Sequence, residues 1–221
     1  MKSIKKSVTT FCMAIGLLFL VSSFALAAPP DNFTCKFSVL GLQMPLTMTM
    51  AKMGNKSRVE NAMREDIITI NLMDQKKSTT MNTKNKTYFE YTTKERTPSI
   101  YNPNTVIEKK KTGSGTFDGH PCIKYNAVFY SKDKPEDKYT SILWEAQDLR
   151  GLPIKNEVTI PPDKRREGGP DKFTSELKEI KVGAAKAAMF EVPKGYKKVG
   201  SIAEVMGGDI GEMMKQMQKN K

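Results

Sequence analysis

The sequence predicts a mainly β protein built as one curled antiparallel sheet with few helices. Apolar and polar residues alternate with a period of two along most of the chain up to about residue 182, and this alternation is typical of strands with one buried face. Short turn sequences separate the alternating runs, and short connections favour antiparallel neighbours. We therefore expect roughly nine or ten strands in a single sheet.

The first run shows the alternation most clearly, with Phe33, Cys35 and Phe37 on one face and Thr34 and Lys36 on the other. Five segments carry this one-sided pattern, and each is predicted to be a half-buried strand. They are residues 33–39, 44–50, 68–72, 87–91 and 123–129.

Turn chemistry marks the ends of these strands. The pairs Gly54-Asn55 and Asp118-Gly119 favour tight turns between hairpin strands. Two proline-containing stretches, 92–105 and 161–170, predict longer loops, because proline cannot continue a ladder of hydrogen bonds. Such loops often frame a binding mouth.

Only two stretches are predicted to be helical, a brief turn at 184–189 and a C-terminal run from about 202 to 218. They are little cover for the apolar face of so many strands, so the sheet must curl, dimerise or leave a cleft. A curled sheet leaves two alternatives open: a partly open apolar interior that binds a ligand, or an interior filled by its own side chains and the C-terminal helix. The apolar residues at helical spacing in that helix are Met206, Ile210, Met213, Met214 and Met217.

The N-terminal segment, 1–27, has the pattern of a secretory signal peptide. Three lysines precede an apolar run, and Ala25 and Ala27 match the Ala-x-Ala cleavage pattern. We expect the mature chain to begin at Ala28 and to be a soluble periplasmic protein. The mature chain then divides into one domain, 28–200, and a C-terminal Met-rich helix or tail, 201–221.

The chain is basic, and removal of the signal lowers its formal net charge from +12 to 33 − 24 = +9. In an exported protein this charge favours anionic lipid head groups as a partner rather than nucleic acid. Two basic runs, 109–111 and 164–166, are possible contacts with a membrane surface. The alternative is that both are solvated loop tips that keep the protein soluble.

Residues that carry chemistry are few. His120 is the single histidine, and it follows an Asp-Gly turn, where an exposed turn residue is expected rather than a catalytic base. The sequence contains no phosphate-binding glycine loop and no paired cysteine or histidine motif, so we expect neither an enzyme nor a cofactor. Methionines at 48, 50 and 53, or at 213, 214 and 217, could offer thioether ligands to copper(I), although adaptable apolar packing explains them as well.

Three motifs in order carry a resemblance to a known family. They are the Gly119-x-x-Cys122-x-x-Tyr125 strand, the run from Leu143-Trp144 to Asp148-Leu149-Arg150-Gly151-Leu152-Pro153, and the ending Phe190-Glu191-Val192-Pro193-Lys194-Gly195-Tyr196. The chain resembles the periplasmic LolA/LolB/LppX-like superfamily from about Phe33 to Val199 and, within it, a branch of unknown function. The resemblance implies an antiparallel half-barrel whose concave face holds acyl chains in the lipoprotein-carrier members.

Cys35 and Cys122 are the two cysteines of the mature chain, and they are candidate disulfide partners in an oxidising compartment. Alternation places Cys35 on an apolar face with Phe37, whereas Cys122 shares a face with Lys124 and Asn126. The two sulfurs are thus expected on different sides of the sheet, which favours free thiols over a bridge.

These observations favour a binding or carrier protein for a lipid, an acyl chain or a similar apolar ligand. The alternative is a non-catalytic module with a packed interior that binds another envelope protein, and a third function is copper(I) binding through methionine. For the carrier, the expected cavity wall consists of apolar residues at alternating or neighbouring strand positions. They are Met48, Met50, Ile68, Ile70, Leu72, Phe89 and Trp144.

Overall fold

The computed structural model describes residues 28–42, 44–61, 64–92, 98–165 and 167–207. The predicted signal segment and the predicted helix beyond residue 207 lie outside these ranges. The described residues form one sheet of twelve strands. In chain order the strands are β1 (Asn32–Leu40), β2 (Leu46–Met53), β3 (Lys56–Asn61), β4 (Arg64–Leu72), β5 (Lys77–Asn82), β6 (Thr87–Thr92), β7 (Thr105–Phe117), β8 (His120–Ser131), β9 (Lys134–Ala146), β10 (Leu152–Thr159), β11 (Lys172–Val182) and β12 (Lys197–Lys198).

The strand order across the sheet is β12-β6-β5-β4-β3-β2-β1-β11-β10-β9-β8-β7. Every ladder is antiparallel except the short pairing of β12 with β6, which is parallel. Two meanders, β1 to β6 and β7 to β11, are joined where β1 pairs with β11 in the middle of the sheet. The predicted fold class, a curled antiparallel sheet with few helices, is confirmed.

The predicted hairpin turns are present. Asp118 and Gly119 join β7 to β8, and both have positive φ, as a tight hairpin turn of the mirror-image type requires. Gly54, also with positive φ, begins the turn between β2 and β3. Residues 44 and 45 precede β2 rather than belonging to it, because Pro45 cannot donate to the ladder with β1.

Curling of the sheet is strong. Five strands separate β4 from β9, a distance of about 29 Å in a flat sheet with ~4.8 Å between strands. The turns that follow β4 and β8 nevertheless touch, since Lys76 Nζ lies 3.0 Å from Asp133 Oδ2. Asn104 Nδ2 also donates to this carboxylate at 3.0 Å. The two halves of the sheet therefore face each other across a concave interior.

The interior contains residues 98–104, the described part of the connection between β6 and β7. Tyr101 packs against a buried cluster that includes Phe33, Cys35 and Leu177. Its hydroxyl group donates to the carbonyl oxygen of Pro153 at 3.1 Å. Ile100 packs against a second cluster, formed by β8, β9 and β10. This part of the predicted loop at 92–105 is thus a plug in the core.

The outer face of β2 to β5 is covered by irregular chain, residues 183–196. Ala185 and Phe190 of this segment are buried, and a 3-10 helix, Ala187–Phe190, replaces the helical turn expected at 184–189. The segment then leads into β12 at the edge of the sheet. The strand residues beneath it are Ala51, Ile68, Ile70 and Met81.

Helix α1, Ile202–Met206, follows β12 and packs against β5 and β6. Val205 is fully buried, and Asn82 Nδ2 donates to its carbonyl oxygen at 3.0 Å. The described part of the predicted C-terminal helix therefore continues the packing of the sheet as far as Met206. None of the described helices is both long and apolar enough to cross a membrane.

Candidate functional site

A cavity of about 620 Å³ lies where the two ends of the curled sheet meet. We call it the mouth cavity. One side is formed by the ends of β3, β4 and β5, and the other by the turn between β8 and β9. The loop before β7 borders it as well, and its wall consists of Ser57, Asn71, Leu72, Met73, Lys76, Lys77, Thr92, Pro98, Ser99, Asn102, Asn104, Ser131, Asp133, Lys134 and Asp137.

A hydrogen-bonded row of side chains crosses the strands on the wall of the mouth cavity. Ser78 Oγ donates to Asn71 Oδ1 at 2.6 Å, and Asn71 Nδ2 donates to Ser57 Oγ at 3.2 Å. Two register steps further, on the same face, the hydroxyl groups of Thr69 and Thr80 lie 3.2 Å apart. The concave face of β3 to β5 is therefore rich in hydroxyl and amide groups, so it suits a ligand that makes hydrogen bonds.

Charged side chains at the rim are mostly paired. The Lys76 ammonium beside Asp133 holds the pKa of that carboxyl below its usual range. The Asp137 carboxylate accepts a hydrogen bond from Lys164, which likewise lowers the pKa of Asp137. Among the described residues Lys134 forms no salt bridge, and its charge also contributes to lowering the pKa of Asp137.

The seven residues that the sequence predicted as one apolar wall lie on different surfaces. Met48, Met50 and Phe89 lie on the concave side by strand register. Ile68 and Ile70 point outward and pack beneath the segment 183–196. Trp144 is on the outer face of the other half of the sheet, opposite Lys124 and Lys155, and of the seven Leu72 alone borders the mouth cavity.

The reason for this separation is that the apolar face of β4 is not its concave face. Ile68 and Ile70 alternate with Thr69 and Asn71, and it is the polar pair that faces the interior. The sequence pattern predicts the apolar face inside the curl only if helices are the sole elements that can cover the sheet. The apolar residues of the motif from Phe190 to Tyr196 were the available signal for a second covering layer.

Both cysteines are free and buried. Burial raises the pKa of the Cys35 thiol to about 12 and also raises the pKa of the Cys122 thiol. Register places Cys35 beside Met50, whereas Cys122 lies across from Ala146 on the face that carries Trp144. The assignment of the two cysteines to different faces explains the free thiols.

His120 lies at the start of β8, and its Nδ1 atom is 2.8 Å from Asp148 Oδ2. Cys122, the nearest described thiol in the sequence, donates instead to the backbone carbonyl of His120 at 3.3 Å. Because burial favours the protonated thiol, Cys122 is not prepared to act as a nucleophile. The imidazole and carboxylate thus fix the turn between β9 and β10 to the start of β8.

Of the two predicted basic runs, 109–111 is not a loop tip, whereas Lys164 and Arg165 lie in the connection between β10 and β11. Residues 109–111 lie within β7, where Lys109 Nζ is 2.5 Å from the buried carboxylate of Glu145. Arg165 donates from Nε to the carbonyl oxygen of Ile160, and Lys164 is hydrogen-bonded to Asp137.

The methionines predicted as copper(I) ligands are not brought together. The strand register separates Met53 from Met48 and Met50, and the C-terminal methionines from 213 onward lie outside the described residues.

Lysine side chains cover the aromatic residues of the outer face. Lys124 Nζ lies 3.9 Å from the centroid of the Trp144 ring, and Lys155 Nζ lies 5.4 Å from that of Phe117. Gly115 leaves room for this arrangement, since a Cβ atom there would come within 2.9 Å of Lys124 Cε. In this position the aliphatic stems shield the rings while the ammonium groups stay in water.

No family model matches the chain, and a search of curated proteins finds no match. Solved structures that are similar to it include the following three. PNGF-II is 10% identical with a TM-score of 0.41, over 82% of this chain and 32% of its own. MucB in complex with MucA(peri) is 14% identical with a TM-score of 0.45, over 77% of this chain and 57% of its own. A LolA superfamily protein from Nitrosomonas europaea is 11% identical with a TM-score of 0.37, over 75% of this chain and 92% of its own.

The chain thus spans about a third of PNGF-II and little more than half of MucB. All three TM-scores are below 0.5, so the description of the fold rests on the strand order, the register and the curl given above.

Proposed function

We propose that this chain is a non-catalytic binding protein of the bacterial envelope that holds an amphipathic ligand of the lipid class in the mouth cavity. The observation that carries this proposal is the cavity itself. Its volume of about 620 Å³ falls in the range of small-molecule sites, which is roughly 300 to 1,000 Å³. The export signal predicted at 1–27 supports the envelope location.

The lining supports an amphipathic ligand rather than a purely apolar one. Leu72, Met73 and Pro98 contribute apolar surface, and Ser57 and Asn71 contribute hydrogen-bonding groups beside it. Ser57 and Asn71 bond to each other, and an acyl chain alone would leave their remaining hydrogen-bonding capacity without a partner, which costs free energy. A head group that makes hydrogen bonds, attached to an apolar portion, satisfies both parts of the wall.

Uptake of a fluorescent fatty acid and of its methyl ester tests the proposal. We expect the native protein to bind both probes, and binding to weaken about tenfold in Met73→Trp, because a larger side chain there fills the mouth cavity. The matched control is Met44→Trp, since Met44 is exposed in the turn between β1 and β2 and does not border the cavity.

The control variant should bind like the native chain. Equal loss in both variants would mean that the probe binds elsewhere. Failure of the native protein to bind either probe, together with no small molecule in its native mass spectrum, would contradict the proposal.

A further inference from the structure

The two edges of the sheet differ greatly in length. One edge ends at β12, which pairs two residues with β6. The other is β7, a strand of thirteen residues that pairs with β8 alone. Its second edge has no strand partner in the described part of the chain, and such an edge presents backbone donors and acceptors to any extended segment that can approach it.

The charged side chains of β7 determine which kind of segment can bind at this edge. Lys109 is neutralised by Glu145, and its ammonium lies 4.8 Å from the Tyr125 ring. Lys110 and Lys111 are exposed, and no carboxylate of the described residues pairs with either of them. The edge therefore combines open backbone groups with two lysines that form no ion pair among the described residues, and Glu108, two residues before Lys110, is the one carboxylate of β7.

A trough of about 610 Å³ lies on the outer face next to this edge. Lys110, Val128 and Ile142 are among its lining residues, and the Ile142 side chain is exposed. In an added strand every second side chain points to the same face. Because neighbouring strands lie about 4.8 Å apart, an outward side chain of the added strand would meet Glu108 and Lys110 at the near rim of the trough, whereas Val128 and Ile142 lie one and two strands further away.

A second copy of this chain is a poor occupant of the edge. A two-fold pairing of β7 with β7 centred on Lys111 would bring six lysine side chains within two residue steps of the axis, and like charges in opposed strands are destabilising. The glycine-containing second half of β7, residues 112–116, adds no carboxylate to offset them.

We propose that β7 accepts an extended acidic polypeptide segment, which adds to the sheet as a thirteenth strand. The backbone hydrogen bonds of β7 supply affinity, and the carboxylates of the segment are attracted by Lys110 where they point to the outer face and by Lys111 where they point to the concave face. This interaction uses a different surface from the mouth cavity and does not depend on the ligand proposed there.

Two synthetic peptides test the inference on the full mature chain: a ten-residue peptide of alternating glutamate and valine, and the same peptide with lysine in place of glutamate. We expect the acidic peptide to bind, to bind more weakly as salt rises, and to slow hydrogen exchange of β7 amides. The lysine peptide should not bind. Met73→Trp, which fills the mouth cavity, should leave binding of the acidic peptide unchanged. This variant therefore distinguishes binding at β7 from binding in the mouth cavity.

Charge reversal provides the matched comparison. Lys110→Glu with Lys111→Glu should weaken binding of the acidic peptide at least about tenfold, whereas Lys56→Glu with Lys84→Glu, an equal change in net charge at other exposed positions, should alter it less than about twofold. Equal weakening by both pairs, exchange protection outside β7, or binding to anionic vesicles without binding to the peptide would each overturn the proposal.

Discussion

Tyr101 shows how much of the interior depends on single residues. Its ring enters the concave side, and its hydroxyl group donates to the Pro153 carbonyl oxygen at 3.1 Å. Burial raises the pKa of the phenol well above its ordinary value, so the hydroxyl group keeps its proton and remains a donor in the folded state. The loop residue thus acts as a core residue.

We predict that Tyr101→Phe lowers the free energy of unfolding by about 1 to 2 kcal/mol, because the buried carbonyl group of Pro153 loses its partner. Urea denaturation measures the change. Tyr130→Phe is the control, since the Tyr130 hydroxyl group bonds to Glu108 on an exposed surface, and it should change stability by less than about 0.5 kcal/mol. Similar effects of both substitutions would mean that Tyr101 contributes no specific bond to the interior.

For single residues, the sequence predicted which face of the sheet each cysteine occupies, but it did not predict which residues line the mouth cavity. Alternation in β1 and β8 was sufficient to assign Cys35 and Cys122 to different faces. The same alternation in β4 separates Ile70 from Asn71 but does not tell which of them faces inward. That choice depends on residues 183–196, which are distant in sequence, so the polar wall of the mouth cavity could not be predicted locally.

The covering segment 183–196 contributes buried apolar side chains to the outer face of β2 to β5. It has little regular structure, yet Phe190 is only 5% exposed and contributes to the cluster that contains Ile68 and Ile70. An irregular segment can cover strands in this way because apolar burial depends on the area removed from water and not on secondary structure.

We predict that Phe190→Ala costs about 3 to 5 kcal/mol of unfolding free energy, as expected when a buried aromatic ring is truncated. The change in the midpoint of chemical denaturation measures this. Val182→Ala, at the exposed end of β11, is the control and should cost less than about 0.5 kcal/mol. A small effect of Phe190→Ala would show that the segment does not hold the outer face.

The strands that were predicted one by one have an apolar face; of the strands that were missed, β10 has a regularly alternating buried face as well, whereas β5 and β7 do not. β1, β4 and β8 alternate because one face is more deeply buried than the other. β5 does not alternate, because Ser78 to Asn82 are buried on both faces, beneath the covering segment on one side and within the interior on the other. β7 was missed for the opposite reason, since most of its side chains are exposed and three successive lysines obscure the period of two.

At the scale of the whole molecule, ion pairs connect distant parts of the sheet. Asp133 with Lys76 joins its two halves, and Glu90 with Lys198 fixes the short β12 strand to β6. Hydrogen bonds from these lysines hold the pKa of Asp133 below its ordinary 3.8 and that of Glu90 below its ordinary 4.5. The folded protein therefore takes up these protons at lower pH than the unfolded chain does.

The lower carboxyl pKa values of the folded state determine how the stability of the protein depends on pH. A depressed carboxyl pKa in the folded state contributes stability above the unfolded value and loses it as pH falls through the folded value. We predict that the melting temperature falls as pH is lowered from about 5 to about 3, and that added salt reduces the fall, because the pairs are exposed. The double variant Asp133→Asn with Glu90→Gln should show a shallower fall, and a melting temperature that is independent of pH would contradict the assignment.

The pairing of β1 with β11 has a consequence for how the chain acquires its structure. Phe33 pairs with Val182, so the central ladder joins the first and last long strands and closes the longest loop in the described chain. Loop closure of this length is entropically unfavourable until other contacts compensate, and folds dominated by such distant pairings fold slowly. The two meanders can form from neighbouring hairpins, but the chain remains two separate sheets with exposed edges until its C-terminal part arrives. The decisive contact, the pairing of β1 with β11, cannot form before β11 is available, so the order of events delays folding until nearly the whole described chain is present.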